Sequence, residues 1–443
     1  MASSLPMNLI EWIDDDVRAS YASRLGLLAQ HGIVEHHASI PFAGILSNTL
    51  SQRRACVLFD TRTYDAAGAT CCRALEDSGF DVTELLLPDP NEKGPVCDDH
   101  TLRWIVDRLP PVDIVVAVGS GVINDLAKWT ACANNVAYAV FATASSMNGY
   151  SSSNVAATVQ GVKTLVPGRA ALAIGADPYI LASAPHRLTT AGFGDLLAKA
   201  VSIADWILNA MVAKETFCPR LTSWAERWAE PVLVRPEAIA SEEPQAIQAL
   251  FHALVVSGCV MTLHGSSLPA SGAEHVISHT LDMMSDADGQ PHDLHGRQVG
   301  VATIVAAALW EHMLHLRRPT FKPFMPPWDA NVWGKSAPAV AEHLSKKTEV
   351  IHKTCEKLSA SGYWEHIQEN VRPHLRSPQW VKDQLARANA AHQLSHIGCS
   401  RERFLMALRH ASAMRSRLTC LDIVRMAGVV PEVIENIVDR WVA

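Results

Sequence analysis

The stretch Asp113-Ile-Val-Val-Ala-Val-Gly-Ser-Gly-Val-Ile-Asn-Asp-Leu-Ala-Lys128 decides the fold. Asp113 to Val118 is an apolar, β-branched run without alternation, the pattern of a strand buried on both faces of a parallel sheet. It runs straight into Gly119-Ser120-Gly121, and a helical pattern over Ile123–Cys132 follows. Two glycines at such a corner let backbone N–H groups approach an anion, and the helix N-terminus adds about half a positive charge. A dinucleotide pyrophosphate fits that corner. A tight turn with no ligand fits it too, because Asn124 stands where GxGxxG has its third glycine.

Working outward, Arg54–Asp60, Asp81–Leu87 and Val136–Phe141 read as further strands. Tyr64–Ser78 and Thr101–Leu109 read as helices between them. Strand and helix alternating at this spacing predict a doubly wound, Rossmann-like α/β domain, placed at residues 1–188. Asp60 ends one strand. An acid there takes ribose hydroxyls and favours NAD over NADP, or it simply caps the next helix. Thr143–Asn154 is a dense hydroxyl loop after the next strand, read as a cofactor and substrate rim. A hairpin follows at 155–166 and a strand at 172–177. From Thr190 the pattern is mostly helical, so 189–443 is expected to be an all-α domain with a cleft against the first. Pro236–Pro244 and Pro319–Pro327 read as loops. Met414–Met426 and Pro431–Val442 read as closing helices whose Met and Leu positions are core.

A second stretch, Gly265–Gly300, carries possible metal chemistry. His275 and His279 are four apart and share one helix face. His295-Gly296 opens another apolar run. Upstream, Ala191-Gly-Phe-Gly-Asp195 reads as a glycine-rich turn placing Asp195 in the first turn of a helix. One carboxylate and two imidazoles from three helix starts would hold a divalent ion with a position left open. With 20 His in the chain, each is individually more simply a hydrogen-bonded core or surface residue.

The net charge of −7, with no basic run, speaks against a nucleic-acid surface. The ten scattered Cys form no CxxC pair, which suggests reduced thiols in a cytoplasmic enzyme. No signal peptide and no membrane span are expected.

Six motifs together resemble the iron-containing alcohol dehydrogenase and dehydroquinate synthase-like superfamily, and within it the bacterial sn-glycerol-1-phosphate dehydrogenases. They are VGSGVINDLAK (118–128), ATASSMNGYSSS (142–153), AGFGDLLAK (191–199), ADW (204–206), SGAEHVISH (271–279) and LHGRQVGV (294–301), with an echo at Ala413-Met-Arg-Ser-Arg-Leu. The resemblance implies that Gly119, Ser120, Gly121, Asn124 and Asp125 hold the NAD or NADP pyrophosphate, with Thr143, Ser146 and Ser152 on the nicotinamide side. It implies Asp195, His275 and His295 as ligands of one divalent metal, Zn2+ first and Ni2+ or Fe2+ as alternatives. Asp195 would also lie near the substrate, and His279 would touch it. A homodimer or higher homo-oligomer is expected by analogy. Two positions depart from the pattern: Asn148 stands where the family has Asp, and Leu268 where it has Arg. Losing one charge-assisted hydrogen bond costs about 1.5–3 kcal/mol. The substrate, a small ketone or polyol, phosphorylated or not, could therefore have shifted. A cofactor-regenerating cyclase or lyase like dehydroquinate synthase, and a non-catalytic binding protein on this fold, are the alternative readings.

Overall fold

The computed structural model describes residues 7–89, 94–160 and 162–443. The strands are β1 (Met7–Asn8), β2 (His31–Val34), β3 (Arg54–Phe59), β4 (Asp81–Leu86), β5 (Ile114–Gly119), β6 (Ala137–Ala142), β7 (Asn154–Val159), β8 (Val162–Pro167) and β9 (Ala173–Ala176). Seven of them form one sheet in the order β1-β2-β9-β6-β5-β3-β4. All neighbours in it are parallel except β1 on β2. Every residue of β5 is buried, as its continuous apolar run requires. Register Val118↔Phe141 and Gly119↔Ala142 brings the glycine corner level with the hydroxyl loop after β6. β7 and β8 pair as the expected hairpin.

The chain resolves into two compact units. One is Met1–Gly192 with Ser223–Gly265, and the other is Phe193–Thr222 with Ser266–Ala443. A single cut at 188 therefore misplaces 223–265. Side-chain to backbone bonds show why this segment goes with the sheet. Ser145 Oγ donates to Ile247 O at 3.2 Å, Ser151 Oγ to Val255 O at 2.6 Å and Gln248 Nε2 to Val34 O at 2.9 Å. Gly258, in the helix Pro244–His264, lets that helix lie against the Asn148–Ser151 backbone, because a Cβ there would collide with Asn148 O.

The second unit is helical among its described residues. Its long elements are Ala273–Asp288, His295–His315 and Ala337–Leu358. Two expectations change. Residues 236–240 form a short helix rather than a loop, started by Pro236 at its first turn. The helix expected over Met414–Met426 begins only at Cys420, where Thr419 and Asp422 make a capping box. His186–Ala213 and Pro244–His264 are apolar and long enough to cross a bilayer, but 78% and 72% of their apolar windows are buried inside the protein. Core burial accounts for that apolarity.

Candidate metal and cofactor sites

Asp195, His275 and His295 come together in the second unit, their ligand atoms within 4.8 Å of one another. His275 sits in the first turn of Ala273–Asp288, behind its N-cap Gly272, and His295 is the first residue of His295–His315. Asp195 is not at a helix start. It lies in the last turn of His186–Leu197, and the glycines beside it are helical. They are contact glycines: a Cβ on Gly194 would collide with Gly296 O and lie 3.3 Å from Gly300 Cα. The same chemistry that suggests a turn thus brings two helices together and sets Asp195 beside His295.

The donors fit a divalent ion. His275 Nδ1 donates to Glu274 Oε1 at 2.9 Å, which turns Nε2 toward Asp195 Oδ1 at 3.2 Å. His295 Nδ1 is hydrogen-bonded to Ser278 Oγ at 2.9 Å, which fixes the orientation of its ring. Both imidazoles therefore have the outer-shell partner that metal-bound histidines require. Burial opposes the His275 imidazolium, but hydrogen bonds to Asp195 and Glu274 outweigh it and raise its pKa. Burial also opposes the Asp195 carboxylate, and the hydrogen bond from His275 outweighs it. Two carboxylates around this ring, on completely buried Glu274 and nearly buried Asp195, make a place for positive charge. His279 stacks on His295, ring centroids 4.8 Å apart. With Asp282 and His295 it forms an alternative cluster that shares His295. A third cluster, His36, His37 and Asp177, adjoins a cavity of about 310 Å³ in the first unit. There Asp177 is already spent on the N–H groups of Tyr179 and His37.

Sequence reasoning passed over three buried groups around the triad. Lys199 follows Asp195 by one turn, and burial pushes it down to about 8. Asp205 accepts from Ala273 N at 2.7 Å, Cys420 N at 2.9 Å and Trp310 Nε1 at 3.0 Å, which fixes the start of the His275 helix. Glu274 is the third. All three stand inside the AGFGDLLAK, ADW and SGAEHVISH motifs, which was the available signal.

The glycine corner lies in the first unit. A Cβ on Gly121 would meet nothing within 4 Å, and its φ is not positive. Neither packing nor backbone demands a glycine there, so open space is kept at the N-terminus of Gly121–Ala133, as a close-approaching ligand requires. Ser120 Oγ is hydrogen-bonded to Ser146 Oγ, which ties the corner to the hydroxyl loop. Thr143 N donates to Gly119 O at 3.2 Å, and Ser152 Oγ turns to Gly149 O at 3.2 Å. Asn148 is partly buried in the same loop.

Three expected cofactor residues do other work. Asn124 is completely buried between Tyr138 Oη and Asp125 Oδ1. Asp125 accepts from Ala156 N at 3.0 Å and faces Lys128 Nζ at 3.8 Å, anchoring the hairpin. These contacts turn both side chains toward the hydrogen bonds behind the corner. Asp60 makes a capping box with Thr63 and takes an Arg62 guanidinium at 2.6 Å. Both its oxygens are engaged, the capping alternative of the two.

Residues 35–185 match the family model described as iron-containing alcohol dehydrogenase. The crystal structure of glycerol dehydrogenase from Schizosaccharomyces pombe shares the fold, with a TM-score of 0.62 over 94% of this chain and 92% of that one at 16% identity. The fold class is thus an α/β sheet unit with a helical second unit. Closer relatives narrow it. Glycerol-1-phosphate dehydrogenase [NAD(P)+] of Halalkalibacterium halodurans is 32% identical over 322 residues, 72% of this chain and 78% of that protein. Its namesake in Thermococcus kodakarensis is 30% identical over 298 residues, 66% of this chain and 81% of that protein. The chain belongs to the glycerol-1-phosphate dehydrogenase family.

Proposed function

We propose that this chain is a metal-dependent, NAD(P)-linked oxidoreductase that interconverts a small ketone and its alcohol, dihydroxyacetone phosphate and sn-glycerol 1-phosphate being the pair its relatives' names point to. The carrying observation is the triad of Asp195, His275 and His295 with Glu274 and Ser278 behind the two rings. One carboxylate and two imidazoles suit Zn2+ first, with Ni2+ or Fe2+ also compatible. A divalent ion held there supplies Lewis-acid polarisation of a carbonyl oxygen. The protein's own part is to hold the triad, to keep its rings oriented, and to move a proton. His279, stacked on His295, is the side chain we assign to pass that proton. Asn148 could position a substrate hydroxyl but, as an amide, does not relay a proton as a carboxylate does. NAD or NADP pyrophosphate rests on Gly119, Ser120 and Gly121, with Thr143, Ser146 and Ser152 beyond it. The ten free cysteines are in keeping with a reducing cytoplasm, and a homodimer is the assembly we expect.

The test is steady oxidation of NADH or NADPH by metal-reconstituted protein with dihydroxyacetone phosphate and with unphosphorylated ketones. Sustained turnover that stops on chelation supports the reading. Cofactor that is bound but never consumed would favour a cofactor-regenerating cyclase. Absence of both metal and cofactor binding would leave only a non-catalytic protein.

A further inference from the structure

The segment between the helix Arg401–Ala411 and the helix Cys420–Met426 is irregular, yet it is pinned. Asn209 Oδ1 accepts from Leu418 N at 3.1 Å and its Nδ2 donates to Leu418 O at 2.8 Å, while Thr419 is locked by the capping box. From this fixed backbone two guanidiniums reach one short loop. Arg415 Nη1 lies 3.2 Å from Ser271 Oγ and 3.4 Å from Ser267 Oγ. Arg417 donates to Ser267 Oγ at 3.1 Å, Ser271 Oγ at 2.9 Å and Ser271 O at 2.6 Å.

Two other cations of the second unit have counter-ions, Lys347 with Asp422 at 2.9 Å and Arg403 with Asp288 at 2.7 Å. Among the described residues, no carboxylate lies within ion-pair distance of Arg415 or Arg417. Burial lowers both; Arg415's charge further lowers Arg417, while the carboxylate of Glu274 acts the other way on each. Two half-buried like charges held on the same two hydroxyls repel each other, and an anion between them offsets that cost. Donors are left for one. Arg415 spends only Nη1 on the loop, and Arg417 Nε is buried with no acceptor among the described residues. Two planar forks and two hydroxyls match the oxygens of a phosphomonoester.

Position supplies the rest. Ser271 precedes His275 by four residues, just ahead of the helix Ala273–Asp288 that carries it. Glu274 links the two places: its Oε1 accepts from His275 Nδ1 and its charge is felt by both arginines. Leu268, at the centre of the same loop, is buried and carries no charge to the site.

We propose that Arg415 and Arg417, with Ser267 and Ser271, form the subsite that holds the phosphate of the substrate and so set the enzyme's preference for a phosphorylated ketone. This rests on the dehydrogenase reading above, and the experiment separates the two. Metal-loaded protein is titrated with inorganic phosphate, with no cofactor and no turnover, and the thermal shift is followed. Wild type is expected to show saturable stabilisation, and Arg415→Gln to lose it, with acetate ineffective for both. In turnover, the ratio of KM for dihydroxyacetone phosphate to KM for dihydroxyacetone is expected to rise about tenfold to a hundredfold in Arg415→Gln (roughly 1.4–2.8 kcal/mol at 1.4 kcal/mol per decade), and to recover in part in Arg415→Lys. Phosphate binding that is present in wild type and lost in the variant, without turnover of any ketone, overturns the dehydrogenase reading and leaves the subsite standing. Wild type that binds no phosphate, or an unchanged KM ratio in Arg415→Gln, overturns the subsite. Arg417→Gln is the second variant, and should it fail to fold, the wild-type titration and Arg415→Gln still decide.

Discussion

Gly194→Ala should damage the metal centre without touching a ligand. The added Cβ would fall well inside contact of Gly296 O, and lie 3.1 Å from Gly296 C and 3.3 Å from Gly300 Cα. These are backbone atoms of the helix His295–His315, so no side chain can swing aside. The helix must retreat by roughly 1 Å, a displacement that can cost about a hundredfold when it separates reacting groups. Asp195 follows the mutated residue and His295 precedes Gly296, so the retreat opens the triad directly. Metal sites tolerate about 0.2 Å. Metal affinity should therefore fall at least tenfold to a hundredfold, the scale seen when outer-shell support is lost. Overpacking should also cost about 1–3 kcal/mol of stability. Competition against a chelator gives the affinity, and thermal unfolding of the metal-free protein gives the stability. Gly44→Ala is the control: it is in the helix Ser39–Thr49, its Cβ would meet nothing within 4 Å, and it should be neutral or stabilising by about 0.5–1 kcal/mol. Gly194→Ala with metal affinity and turnover within twofold of wild type would refute the close-packing argument.

Three further outcomes follow from the same geometry. Gly121→Ala should leave the melting temperature within a degree or two while weakening NAD(P)H binding tenfold or more by fluorescence titration; unchanged binding would mean that the open corner holds no cofactor. Lys128→Met should destabilise by about 3–5 kcal/mol in urea unfolding, because buried Asp125 loses its partner and Gly149 O and Asn154 O lose their donor. His252, edge-on to Trp12 and Trp228 with Nε2 unpartnered among the described residues, is pushed down to about 4 by burial. Between the unfolded value near 6.5 and about 4 the unfolded state binds the extra proton, so its contribution is intact above pH 6.5 and is lost as the pH falls toward 4, about 1–3 kcal/mol in all. His252→Phe should flatten that acid limb of the melting temperature, and an unchanged limb would assign it to other groups.

Much of the architecture was legible because period and punctuation agree. Continuous apolar runs such as 113–118 can be satisfied only in a sheet covered on both faces, and the corner glycines mark where such strands end. His275 and His295 were readable because helix starts carry clear signals. The glycines around Asp195 misled for a physical reason: helix-contact glycines and turn glycines look alike, and only the neighbour, here Gly296, tells them apart. Asn124 and Asp125 share a motif with the corner but point inward, and a motif does not record which way a side chain faces. Arg415 and Arg417 stand in the echo at 413–418, but their role was hidden because that loop was read as part of a helix. Their partners lie about 150 positions upstream, a pairing that no local pattern encodes.

The central claim is that one carboxylate and two imidazoles share a cation. Anomalous diffraction at the zinc edge, from crystals of the protein loaded with Zn2+, tests it most directly. One ion bound by Asp195, His275 Nε2 and His295 Nε2, and absent from His275→Ala crystals of the same fold, is the predicted result. An ion seated on His279 and Asp282 instead, or none at the triad at saturating zinc, would contradict it.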